Sequence, residues 1–137
     1  MTRRELQELA RIRLLDARAL LKARRYPGAY YLCGYAVECA FKACIAKRTR
    51  RFEFHDQDTV RRSWVHDPTL LLRASGLEPV LIRDRLADPV LERYWAIVKD
   101  WKETSRYERR SATEAQSLYQ AVSDSQHGVL QWLRRHW

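Results

Sequence analysis

The stretch Ala29-Tyr30-Tyr31-Leu32-Cys33-Gly34-Tyr35-Ala36-Val37-Glu38-Cys39-Ala40-Phe41-Lys42-Ala43-Cys44-Ile45-Ala46-Lys47 decides the fold. It is apolar on nearly every side, the pattern of a helix that other helices surround. Gly34, Ala36, Ala40 and Ala43 supply small side chains that let a second helix approach closely, from the same chain or from a partner. Glu38 is the one acidic group among them, and a carboxylate in that setting needs a cation or a hydrogen-bond donor.

Before this helix, Thr2 and Glu5 form a capping-box pattern. Leu6, Leu9, Ala10, Leu14, Ala17, Leu20 and Leu21 then recur at helical spacing to about Lys22. Arg24-Arg25-Tyr26-Pro27-Gly28 breaks that first helix, and Pro27 suits the opening turn of the second, which is expected to end near Lys47. Residues 48–66 are polar, rich in Arg and Asp and without a period, which predicts a loop. Asp67-Pro68 then reads as a helix cap with a first-turn proline, Gly76 as the end of that short helix, and Pro79 to Leu86 as another. Asp88-Pro89 starts a longer one toward Trp101. Ser111 and Glu114 form a second capping box before a last helix that bends near Gly128.

Four Gly, four Pro and no run of alternating β-branched residues leave little from which to build a sheet, so the class is all-α. An apolar content of 46% with 31% charged residues suits one ordinary globular domain over residues 1–137. No apolar run approaches the roughly 18 residues that span a bilayer, and the expected location is cytoplasmic, with no membrane partner. Cys33, Cys39 and Cys44 match no zinc or disulfide spacing and read as small core hydrophobes. The net charge is +9, from 26 Lys and Arg against 17 Asp and Glu, and it favours polyanionic partners.

Chemistry concentrates in two places. Arg61-Arg62-Ser63-Trp64-Val65-His66 joins guanidinium groups, which grip phosphate bidentately, to an imidazole that can move a proton to or from a sugar oxygen. On one helix, positions five apart would differ by about 140°, so Arg61 and His66 can converge only at a loop-to-helix junction or across an interface. Ser105-Arg106-Tyr107 with Arg109 and Arg110 forms the second place. Tyr107, Arg62, Arg109, Arg110 and Trp64 are candidate phosphate or base contacts, with Glu38 and Asp67 in support. Each has a structural alternative: His66 and Asp67 can serve the exposed start of a helix, and Arg106 and Tyr107 can pack near Glu38. His55 beside Asp56 and Asp58 could attract a metal or be ordinary polar sequence; His127 and His136 read as surface positions. Trp64 and Trp137 are candidates for stacking on bases, while Trp95, Trp101 and Trp132 suit core or interface positions equally well. No Gly-rich phosphate loop, Gly-x-Ser-x-Gly elbow or His-Glu-x-x-His helix is present, which sets those enzyme classes aside.

The run from Arg25 to Ala43, with Tyr35-Ala36-Val37-Glu38 ahead of Lys42-Ala43, resembles the second-helix signature of HEPN domains (higher eukaryotes and prokaryotes nucleotide-binding). His66-Asp67 before Leu70, Leu71 and Leu72 is similar to the histidine that opens the third helix in one branch of that family. Ser105-Arg106-Tyr107 is similar to that branch's later Arg-Tyr element. The resemblance spans nearly the whole chain. It implies an up-down bundle of four to five helices, paired as a symmetric homodimer around a shared cleft. It also implies a metal-independent ribonuclease of a toxin-antitoxin or defence system, needing no cofactor. His66 would then be the acid or base and Arg61 or Arg106 the phosphate holder. Other members are non-catalytic nucleotide binders or adaptors whose partner is an antitoxin or a nucleotidyltransferase. Arg62 stands where catalytic members carry a polar residue after the arginine, and the Arg61 to His66 pair precedes a mid-chain helix rather than lying inside a late one. Both functional readings stay open on the sequence.

Overall fold

A 26-residue helix, α2 (Tyr26–Arg51), forms the axis of the computed structural model, which describes residues 1–51 and 65–137. Ala29, Cys33, Ala36, Val37, Ala40, Phe41 and Ala43 on it are at most 1% exposed, because α1 (Arg3–Lys22), α3 (Pro68–Ser75), α6 (Ala112–Ser123) and α7 (Val129–Arg134) all pack against it. The small side chains that promised a close helix approach are therefore covered from within the chain. Gly34 is the clearest case: the Trp101 indole lies directly over it, and a Cβ there would sit 2.2 Å from the ring.

α1 and α2 make an antiparallel hairpin across three residues. Arg25 N–H donates to the Leu20 carbonyl at 2.8 Å and Arg24 N–H to that of Leu21 at 3.0 Å, the paired bonds of a Schellman C-terminus, with Arg24 in the left-handed region at φ 58°. The expected caps form: Thr2 with Glu5 at α1, Asp67 at α3, Asp88 at α5 (Pro89–Val98), and Ser111 with Glu114 at α6. Each satisfies amides that the first turn leaves without partners.

Seven α-helices stand among the described residues, more than the four to five expected, and no strand. The four to five came from the family resemblance; the residues themselves marked α4 (Glu78–Ala87) and α5 as separate helices, and they are, because Asp88 takes extended backbone and caps the second of them. The expected last helix is two: Asp124 accepts from the amides of Gln126 and His127 and turns the chain, and Gly128 starts α7. Trp101 lies beyond α5, in the turn leading to a short 3-10 helix (Glu103–Tyr107) for which no periodicity gave notice. At the other extreme, α2 continues past Lys47 to Arg51, with Thr49 Oγ1 donating to the Ile45 carbonyl at 2.7 Å. The expected loop over 48–66 thus begins as helix, and 52–64 lies outside the described residues.

One apolar cluster unites α1, α2 and the later helices, with Trp95, Trp101 and Trp132 inside it. The three cysteines are buried free thiols, and burial pushes Cys39 up to about 11 and Cys44 up to about 12. Such thiols stay protonated and act as packing atoms. Two histidines are not the isolated surface positions expected. His127 Nδ1 meets Asp88 Oδ2 at 2.7 Å, and the His136 ring packs against Trp132 with centroids 4.7 Å apart. Among the described residues no helix is long and apolar enough to cross a membrane.

Candidate functional site

His66 sits just ahead of α3, and the cap formed by Asp67 fixes its place: Asp67 Oδ1 accepts from Thr69 N at 2.8 Å and from Leu70 N at 3.2 Å. The service to the start of the helix that His66 and Asp67 could share thus falls to Asp67. The imidazole is left to turn toward α2, where Nδ1 lies 2.7 Å from Glu38 Oε1. Lys42, one turn further along α2, donates to the same oxygen at 2.8 Å. Glu38 is only 3% exposed, so a buried carboxylate holds an imidazole and an ammonium at once. Its other oxygen, Oε2, is buried and has no partner among the described residues.

The far side of the ring meets the 3-10 helix. His66 Nε2 lies 3.1 Å from Glu103 Oε2, and Arg106 Nη1 lies 3.4 Å from Glu103 Oε1. One carboxylate therefore bridges the imidazole and the guanidinium. His66 is 40% exposed along its side chain and Arg106 45%, so both reach solvent while Glu38 behind them does not. Both ring contacts are hydrogen bonds only when both nitrogens carry a proton. With Nδ1–H pointed at Glu38, Nε2 is the nitrogen on the solvent side, where the Glu103 carboxylate meets it.

Arg106 lies 4.8 Å from the centroid of the Tyr107 ring, and Tyr107 is 78% exposed. The neighbouring Tyr107, then Glu103, raises the guanidinium above its ordinary value. Arg109 is exposed on the same segment. Arg110 is differently placed: it pairs with Glu108 and, at 2.9 Å, with Glu114, and it covers the Tyr30 ring at 4.3 Å. Those contacts tie the segment to α6 and α2 and leave Arg110 little freedom to meet a ligand.

His66, Arg106 and Tyr107 thus come together, with Glu38 behind. Arg61, Arg62 and Trp64 lie outside the described residues, as do His55, Asp56 and Asp58. Trp137 is half-buried, with Arg11 at 4.9 Å and Arg134 at 5.9 Å from its ring, so its faces are already attended by cations. No protein-family model, curated protein or solved structure matches the chain.

Two members of the cluster had no site role in the sequence reading. Lys42 lies i+4 from Glu38, the spacing of a helical ion pair, and that signal was available in the sequence. Glu103 gave none, since its contact with His66 depends on where the turn after α5 carries the chain. Among the described residues no group of His, Cys, Asp and Glu is arranged to hold a metal ion.

Proposed function

We propose that this chain is a HEPN-like domain that binds RNA or nucleotide phosphate at the face formed by His66 and Arg106, and that it cleaves RNA without a metal. The observation that supports this most is the bridging carboxylate of Glu103. An anion of the chain's own already occupies the position between an imidazole and a guanidinium, and a phosphate presents oxygens of the same charge and spacing. In cleavage, the ribose 2′-oxygen bonds to phosphorus while the 5′-oxygen leaves, giving a 2′,3′-cyclic phosphate and a 5′-hydroxyl. His66 Nε2 takes the 2′-hydroxyl proton or supplies one to the departing oxygen, with Nδ1–H anchored on Glu38. Arg106 holds the non-bridging oxygens, and exposed Arg109 extends the basic surface on the same segment. The dimer, implied by the family resemblance, completes a shared cleft; a monomer by light scattering at working concentration removes that part of the proposal.

The test is incubation of the purified protein with mixed RNA in EDTA. Cleavage is expected, lost in His66→Ala and reduced at least tenfold in Arg106→Ala. Glu103→Ala, which removes the competing carboxylate, is expected to tighten RNA binding. Wild-type protein no more active than His66→Ala ends the ribonuclease reading.

The second reading, a nucleotide-binding adaptor that serves an antitoxin or a nucleotidyltransferase partner, is favoured by the same Glu103. A carboxylate resting on Nε2 satisfies the nitrogen that turnover would need. Calorimetry with ATP, GTP and short RNA separates the two: mononucleotide binding without RNA cleavage selects the adaptor.

A further inference from the structure

At the opposite end of α2 from its N-terminus, a cavity of about 340 Å³ opens between α2, the end of α3 and the last residues of the chain. Lys47 and Arg48 border it from α2, His136 from the C-terminal segment, Ser75 from the last position of α3, and Gly76 and Leu77 from the turn after it. Arg48 is ten positions beyond Glu38, about 15 Å along a helix rising 1.5 Å per residue, so this is not the His66 face. All the ionisable side chains lining it, apart from the Cys44 thiol, are cationic or can become so.

Gly76 shapes the cavity. It adopts φ 74°, in the left-handed region, and the Arg48 guanidinium rests where a side chain would be: a Cβ on Gly76 would lie 2.2 Å from Arg48 Nη1. The glycine is thus both the end of α3 and the seat of the guanidinium. The backbone and hydroxyl groups nearby are already committed. Gly76 N–H donates to the Arg73 carbonyl, while Ser75 Oγ donates to the Leu72 carbonyl and accepts from Leu77 N–H. What remains to recognise a ligand is the cationic trio, over a floor of Cys44 and Leu77.

The His136 ring is held against Trp132. Asp84, the acidic group nearest it in effect, is engaged elsewhere: Oδ2 accepts from Trp132 Nε1 at 2.9 Å and Oδ1 from Arg83 Nε at 3.1 Å. We propose that this cavity is a second anion site, separate from the His66 face, that takes a compact phosphate monoester, its phosphate held by Arg48, Lys47 and His136. A phosphate carrying about −1.5 to −2 charges at pH 7 matches two permanent cations and one titratable ring. A carboxylate would leave part of that charge uncompensated.

Burial holds His136 below its ordinary value, helped by Lys47, Arg135 and Arg83 and opposed by Asp84. A bound phosphate favours the charged ring, so His136 should take up its proton at a higher pH with phosphate bound than without it. The experiment is an NMR titration of the unaltered protein with inorganic phosphate at pH 7, with the His136 ring followed from pH 7.5 to 5 in its presence and absence, repeated with adenosine monophosphate and with chloride at matched ionic strength.

Saturable shifts confined to the Gly76 and Leu77 amides and the His136 ring, with the ring's titration displaced upward, are expected with phosphate and not with chloride. Arg48→Gln should weaken binding at least tenfold, while His66→Ala leaves it unchanged. Monophosphate binding more tightly than phosphate assigns the Cys44 and Leu77 floor to the organic part; equal binding assigns the site to the phosphate group alone. Non-saturating shifts, shifts scattered over the surface, or binding undiminished in Arg48→Gln overturn the proposal. Localisation is read on wild-type protein, so it does not depend on the variants folding. Loss of RNA cleavage in the separate His66 assay would leave this result untouched.

Discussion

Glu38 holds an ammonium and an imidazole on one oxygen while almost wholly removed from water, and that arrangement sets what its replacement should do. Glu38→Ala leaves Lys42 and His66 facing an apolar wall without their acceptor. Breaking a fully buried pair costs about 3–5 kcal/mol, but Lys42 and His66 can both turn toward solvent, so a loss on the order of 2 kcal/mol is expected. Glu38→Gln keeps the shape and an acceptor oxygen and should lose less. Denaturant unfolding of the three proteins checks the order. His66→Ala separates structure from function: it should change stability less than Glu38→Ala does, and a larger loss would make His66 chiefly a strut for α3.

The link between α2 and the 3-10 helix rests on a missing side chain. Trp101 is fully buried, its indole pressed on Gly34, and the next residues in the chain carry Glu103 and Arg106 to His66. Gly34→Ala forces a methyl into a space 2.2 Å from ring atoms, so the indole must move. Overpacking of that kind costs about 1–3 kcal/mol. The expected result is a lower melting temperature together with an altered near-ultraviolet signal from Trp101 and weaker RNA binding, because the 3-10 helix moves with it. An unchanged Trp101 signal would mean that α2 yields instead.

The same elements show what the sequence could tell. Thr2 with Glu5, Asp67, Asp88, and Ser111 with Glu114 were legible as caps because each acts within three residues of itself. α2 was legible because burial on all sides leaves no polar stripe. The break after Ser123 was legible only as a bend near Gly128, since the turn made by Asp124 acts through backbone amides that an apolar period does not register. The site divides likewise. His66, Glu38, Arg106 and Tyr107 were found by residue type and resemblance, yet Glu38 and His66 meet across 28 positions of chain, and the bridging Glu103 was found by neither.

For the molecule as a whole, acidification should act in two stages, because its shifted groups all favour the folded state's charge pattern near neutrality. His136 is held below its ordinary value by burial, so the folded chain takes up that proton less readily than the unfolded chain. The stability it contributes is intact above about 6.5 and is lost as pH falls from there through its folded value. The carboxylates come later. Backbone amides of His127 and Gln126 lower Asp124, the Trp132 indole lowers Asp84, and Arg110 with Ser111 lowers Glu114. Groups depressed in this sense stabilise above their unfolded values, near 4, and lose that contribution as pH drops through the folded ones. Meanwhile a chain already at +9 gains further positive charge, and its self-repulsion grows. The melting temperature should therefore decline gently between pH 7 and 5 and steeply below 4. His136→Phe, which keeps a ring against Trp132 but cannot take a proton, should flatten the first stage and leave the second. A first stage that persists in His136→Phe would place the titrating group elsewhere.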